Sequence, residues 1–287
     1  MLATVLLLAA ACKRPEARPG VDRPLVIVLS PAHAPRNPES LRASLERASG
    51  LRLELRVAAS SDEAIGLVQA RRAEAGLLPL FDYLYCAEVF KVQPLVQLLR
   101  HGKQVASEGD LVVRSDSQLR ELRQLRGLEV AFVDRYSVTG FLLPAKLLRD
   151  AGVEVKPAWL GSHDAVLEAV RSSRYAAGAT YRGLSAGKPE LRVLAQTPAV
   201  ANEPVFVQAQ LPADILLALQ RAFLSLGSDA PVVAGLADVT GFGEVTAGTY
   251  ETALATVRAA GRKVEDMIPG GWARANEHRR PLWSYAP

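Results

Sequence analysis

The sequence predicts an α/β fold of two units, with mostly parallel sheets flanked by helices. Three observations carry that expectation. Apolar runs alternate with segments of helical period from Pro24 onward, the rhythm restarts after Val112-Val113, and 287 residues suffice for two modest domains. The run Leu25-Val26-Ile27-Val28-Leu29 has the unbroken apolar character of a strand buried on both faces. Asn37 as N-cap and Pro38 at the first helical position open a helix that places Leu41, Leu45 and Ala48 at core spacing. Leu51, Leu53, Leu55 and Val57 alternate with Arg52, Glu54 and Arg56, the pattern of a strand with one polar face. Ser61-Asp62-Glu63 opens the next helix and turns Ala64, Ile65, Leu67 and Val68 inward. In the second unit, helices over 118–125, 139–151 and 164–172 are interleaved with strands at 130–133, 158–160 and 176–180. Strands at 191–195 and 205–210 and helices at 212–225 and 249–260 complete the chain.

Composition excludes several classes. At 49% hydrophobic and 22% charged the chain has ample material for a packed core, so disorder is not its main state. Lys+Arg number 34 against 30 Asp+Glu, and the excess of +4 is spread along the chain, which argues against nucleic-acid binding. With Cys12 set aside only Cys86 remains, leaving no disulfide pair and no Cys-x-x-Cys zinc motif. His33, His101, His163 and His278 lie far apart, so neither a metal centre nor a cofactor is expected.

The N-terminus reads as an export leader. Residues 2–11 are apolar apart from Thr4, too short to cross roughly 30 Å of hydrocarbon, and end in Ala9-Ala10-Ala11-Cys12 before Lys13-Arg14-Pro15. This resembles a bacterial lipoprotein signal, which implies lipidation of Cys12, a lipid anchor in the membrane and an extracytoplasmic location. Ala9 stands where such signals usually have Leu, and no Lys or Arg precedes Leu2. The expected organisation is a leader at 1–12, a flexible tether at 13–23, a first lobe at 24–110 and 205–265, a second lobe at 111–204, and a tail at 266–287. The crossings between lobes are expected near 111–114 and 200–205.

Two strand-to-helix turns carry the chemistry. Ser137-Val138-Thr139-Gly140 presents amide hydrogens, two hydroxyls and the positive end of a helix dipole at one point, an oxyanion site that needs no lysine. Gly140 has no Cβ to obstruct a ligand, and Pro144 sets its ring against the Gly140 carbonyl. By spacing alone an ordinary N-cap accounts for the same residues. Ser162-His163-Asp164 forms the second turn. If both turns end adjacent parallel strands they face one crevice, where His163 is placed to donate to an oxyanion; a solvated cap is the alternative. Three consecutive residues point in different directions, so a Ser–His–Asp relay is discounted.

A family resemblance follows from these residues. The stretch Phe132 to Phe141, the Leu148 to Gly152 segment, Leu160-Gly161-Ser162-His163-Asp164, Ala177 to Tyr181, Glu203-Pro204, Gly241-Phe242 and Thr249-Tyr250-Glu251 resemble the phosphate/phosphonate-binding components of ABC importers, and the resemblance implies the type 2 periplasmic binding protein fold: two lobes, two mixed, mostly parallel sheets flanked by helices, and a ligand cleft between the lobes. The resemblance implies capture of a small tetrahedral oxyanion by hinge closure, without chemical turnover, and delivery to ABC permease subunits. It implies ligand contacts from Ser137, Val138, Thr139, Gly140, Ser162, His163 and Tyr181. From the first lobe it implies Ser61 and, in a Leu-Pro turn, Phe81 and Tyr83; the alternative reading makes Phe81, Tyr83 and Tyr85 core aromatics on a helix, and it is the preferred one for Tyr85. Ser61 and Ser107 stand where phosphonate binders usually carry tyrosines, and Ala176 where an acidic residue is common. A sensor or scaffold lipoprotein and a transferase-type enzyme on the same fold are the alternative expectations. Trp272 and Trp283 fall outside the resemblance.

Overall fold

The computed structural model describes residues 17–259 except 101–102, 135–136, 228–232, 234–235 and 237–238. The leader with Cys12, residues 13–16, His101, His278 and the tail with Trp272 and Trp283 lie outside the described residues.

The apolar run forms strand β1 (Leu25–Leu29) of a six-stranded sheet. It is buried on both faces: Leu25, Ile27 and Leu29 join one apolar cluster and Val28 another. Strands β2 (Leu53–Val57) and β3 (Ala75–Leu77) flank it in parallel. Helix α1 (Pro38–Ser49) makes the first crossover, and the Asn37 side chain accepts from the Ser40 amide at 3.0 Å, as its N-cap position requires. Helix α2 (Ser61–Gln69) makes the second and opens at Ser61 as expected, with Ser60 as its N-cap. Helix α3 (Leu80–Phe90) follows β3 and leads to β4 (Gln93–Arg100).

The chain then enters the second lobe through β5 (Ala106–Ser107) and builds a five-stranded sheet in the order β10-β6-β9-β7-β8. Its elements are β6 (Gly109–Arg114), β7 (Glu129–Phe132), α4 (Leu143–Asp150), β8 (Lys156–Trp159), α5 (His163–Arg171), β9 (Ala177–Tyr181) and β10 (Leu191–Gln196). Strand β11 (Val200–Ala201) pairs antiparallel with β5 and makes the return. Strand β12 (Pro204–Val207), α6 (Ala213–Ser225), β13 (Val239–Glu244) and α7 (Thr249–Ala259) complete the first lobe.

Four expectations need correction. The sheets are mixed, as expected, but parallel pairs do not predominate in them: β12 runs against both β3 and β4, β13 against β4, and β6 against β9 and β10. Strands that arrive from the other lobe come without a crossover helix, so nothing forces them parallel. Residues 111–114 lie inside β6, with Leu111, Val112 and Val113 fully buried, so the first crossing is at β5. The helix expected over 118–125 is a short 3₁₀ turn, Leu122–Leu125, closed by a reciprocal Glu121/Gln124 cap. Residues 17–23 are not a free tether: the Arg52 amide donates to the Gly20 carbonyl at 2.8 Å, and Arg18 pairs with Asp214 of α6.

Candidate functional site

The parallel strands of both sheets end at one cleft of about 820 Å³. From the first lobe, the chain leaving β1 contributes His33, that leaving β2 contributes Ser61, and that leaving β3 contributes Phe81 and Asp82. From the second, β7 leads to Ser137, Val138 and Thr139, β8 to His163, and β9 ends at Tyr181. The β5–β11 ribbon closes the cleft with Ser107, Ala201 and Asn202. Carboxyl ends of strands are where open α/β sheets bind ligands.

Ser137 caps a π-helical turn, Val138–Leu142, that continues into α4. Its hydroxyl accepts from the Gly140 amide at 3.0 Å, and its own amide donates to Asp134 Oδ1 at 2.8 Å. The Val138 and Thr139 amides open the helix and have no intrahelical acceptor, so they and the helix dipole form a cradle for negative charge. Pro144 explains the wide turn. The Leu143 amide reaches back to the Val138 carbonyl, while the Gly140 carbonyl, which the prolyl ring would crowd in α geometry, accepts instead from the Val133 amide at 3.3 Å. Phe141 props the turn from below, its ring 5.1 Å from Phe132 and 4.7 Å from Trp159.

Gly140 does not line the cleft, because its amide is taken by Ser137 and its α-carbon faces Val133. A Cβ there would sit 2.5 Å from Val133 Cγ2 and 2.7 Å from the Ser137 hydroxyl. Packing, not ligand approach, demands the glycine. Gly140→Ala is therefore expected to destabilise the protein by about 1–3 kcal/mol and to weaken anion binding by displacing the cap. Thermal unfolding and a binding titration on the same sample check both effects.

In the second turn Gly161 has φ 81°, a conformation that favours glycine, and its amide donates to the Val133 carbonyl at 2.8 Å. This ties the two turns together. Ser162 caps α5 by accepting from the Ala165 amide at 3.2 Å and is exposed outside the cleft lining. His163 Nδ1 lies 3.0 Å from Thr180 Oγ1, and its ring meets Tyr181 edge-on at 5.0 Å. Thr180 thus orients the ring by one nitrogen and leaves Nε2 as the other ring position.

Tyr83 also lies away from the cleft. It is 2% exposed, with its ring 6.5 Å from Phe206 and 5.0 Å from Tyr250. Two residues along a helix lie about 200° apart, so α3 cannot aim both Phe81 and Tyr83 at one ligand. Burial raises the pKa of both tyrosine hydroxyls.

Sequence reasoning missed the charged lining. Burial raises the pKa of Glu203, but Arg100, with Nη2 at 2.9 Å from Oε2, and then His33 outweigh it and hold the carboxyl below the usual range. Burial lowers the pKa of His33, whose Nδ1 lies 2.9 Å from Ser30 Oγ. Burial pushes Asp82 up to about 6, against a lowering by the Ser61 hydroxyl, and Asp62 adds to the rise. The available signal was position: His33 and Asp82 both stand a few residues beyond a strand end. No group of three or more potential metal ligands occurs among the described residues, and none of their helices is long and apolar enough to cross a membrane.

A two-lobed α/β scaffold whose parallel strands converge on a cleft between the lobes defines a solute receptor of the type 2 periplasmic binding protein class. Residues 27–250 match the family of ABC transporter, phosphonate, periplasmic substrate-binding proteins, and the chain belongs to that family. The probable ABC transporter phosphite binding protein PhnD1 of Prochlorococcus marinus (strain MIT 9301) is 36% identical over 76 residues, 24% of this chain. That match spans only 26% of the relative's length. The fold is similar to that of XAC2383 from Xanthomonas citri bound to ATP, with a TM-score of 0.70, 20% identity and coverage of 85% of this chain and 99% of that one. It is also similar to PhnD1 from Prochlorococcus marinus (MIT 9301) in complex with methylphosphonate, with a TM-score of 0.60, 17% identity and coverage of 83% and 98%.

Proposed function

We propose that this protein is the extracytoplasmic solute-binding component of an ABC importer, which captures a small tetrahedral phosphorus oxyanion between its lobes and delivers it to permease subunits without chemical turnover. The observation that carries the reading is the convergence of the Val138 and Thr139 amides and His163, from neighbouring parallel strands, on one cleft. Ser137, Thr139 and Ser61 add hydroxyls, and Phe81 and Tyr181 add aromatic walls. Hinge closure about the β5–β11 ribbon excludes water, and dipoles aimed at an anion act more strongly in a medium of low dielectric. A lipid on Cys12 holds the receptor at the membrane.

The test is a thermal-shift and calorimetric screen of the full chain with methylphosphonate, phosphite, phosphate and sulfate. At a hundredfold excess over Kd a bound ligand adds about 2.7 kcal/mol, which raises Tm by roughly 5–10 °C in a protein of this size. Absence of a shift with every phosphorus oxyanion would overturn the assignment.

A further inference from the structure

A ligand draws two lobes together only through contacts that differ between the open and the closed state, so it must be touched from both walls. The donors described above, the Val138 and Thr139 amides and the His163 ring, all belong to the second lobe. On the facing wall Phe81 is apolar, and the Ser61 hydroxyl bonds the Asp82 carboxyl. His33 is placed differently. It ends the 3₁₀ turn Pro31–His33 that follows β1, and β1 lies in the sheet between β3 and β2, whose ends deliver Phe81 and Ser61. The residue is 7% exposed, and its Nδ1 is fixed 2.9 Å from the Ser30 hydroxyl. Its Nε2 lies 4.0 Å from Glu203 Oε1, too far for a hydrogen bond, and makes no other polar contact among the described residues. That nitrogen is not sealed off. The fully buried side-chain polar atoms without a partner among those residues are Asp82 Oδ2 and Gln97 Oε1, whereas His33 lines the cleft.

We infer that His33 is a ligand-binding donor of the first lobe, whose Nε2–H meets an oxygen of the phosphorus oxyanion when the lobes close. This rests on the anion-binding reading above and deepens it. A ring nitrogen held in a nearly buried site without a partner is unfavourable until an acceptor arrives, and an anion oxygen is one. The tautomer follows from the neighbours. The Ser30 hydroxyl can turn to donate to Nδ1, which leaves the hydrogen on Nε2. Glu203, at the junction of β11 and β12, faces the same nitrogen and favours a hydrogen there, while Arg100 at the end of β4 holds that carboxylate at 2.9 Å. Burial lowers the pKa of His33, Glu203 opposes the shift and Arg100 adds to it, so the ring is neutral near pH 7 and donates without being ionised. The second lobe uses the same device, since the Thr180 hydroxyl fixes the Nδ1 of His163.

Calorimetric titration of the full chain with methylphosphonate, with thermal unfolding as the control for folding, tests the inference. His33→Leu is expected to raise Kd about ten- to hundredfold. His33→Gln, whose amide nitrogen reaches the place of Nε2, should bind within about fivefold of the wild type, whereas His33→Asn, whose amide reaches only the place of Nδ1, should bind as weakly as His33→Leu. Unchanged affinity in a folded His33→Leu overturns the inference. Rescue by Asn rather than Gln also overturns it, by assigning the ring to Ser30. The cost of His33→Leu should persist in a Glu203→Gln background, and a cost that disappears there overturns the inference by showing that the ring acts through Glu203. Where the variants do not fold, imidazole nitrogen NMR of the wild type decides: the methylphosphonate complex should carry hydrogen on His33 Nε2, and a bare Nε2 overturns the inference. If the wild type binds no phosphorus oxyanion, the anion-binding reading has failed, and this inference falls with it.

Discussion

Val138→Pro is expected to weaken methylphosphonate binding by about ten- to hundredfold while leaving the fold intact. Proline is well suited to the first helical position, where the missing amide hydrogen has no intrahelical partner. Ser137, at φ −61° and ψ 119°, already has the extended backbone that a residue before proline adopts. The substitution therefore removes one donor from the cradle and little else. A hydrogen bond to a charged acceptor contributes about 1.5–3 kcal/mol, which corresponds to that range of Kd. Calorimetry measures the affinity and thermal unfolding controls for the fold; unchanged affinity would mean that the oxyanion lodges elsewhere.

Asn202→Ala is expected to have the largest effect on stability, about 2–4 kcal/mol, or a fall in Tm of roughly 5–15 °C. Asn202 is 2% exposed and ties together the segments at the crossing between the lobes. Its Nδ2 donates to the Leu98 carbonyl at 3.0 Å and the Gln104 carbonyl at 2.8 Å, and its Oδ1 accepts from the Ser107 hydroxyl at 2.6 Å. Its backbone carbonyl accepts from the Tyr250 hydroxyl at 2.9 Å, which brings α7 to the same point. Alanine leaves the Leu98 and Gln104 carbonyls and the Ser107 hydroxyl without these bonds. A thermal melt that matches the wild type within a degree would show that the ribbon alone holds the crossing.

What could be read from the sequence was what local chemistry dictates. The apolar run of β1, the Asn37 cap and the Ser137 and Ser162 turns are short-range patterns, and each appears in the structure at or next to its expected place. Gly140 was misread because the side chain it must avoid, Val133, approaches only after the turn has formed. For Tyr83 the resemblance to a ligand-closing turn gave the wrong role, and the alternative of a core aromatic on a helix holds, because α3 begins at Leu80 and imposes a helical period. Asn202 gave no signal and Asp82 only its position beyond a strand end, since their environments are assembled by contacts between separate segments, such as Asn202 with Leu98 and Tyr250. The share of antiparallel strands was set too low for the same reason: alternation of strand and helix says nothing about a strand that returns from another lobe.

The position of β12 between β3 and β4 also bears on how the chain is made. Until the entire second lobe has been synthesised, β3 and β4 have no partner along their facing edges, and the earlier half of the molecule carries two unpaired strand borders open to wrong pairing. The later lobe, whose strands are contiguous in the chain, is free to fold first, and the earlier one can finish only when the returning strand threads into its gap. An order of assembly set by such distant pairing is slow.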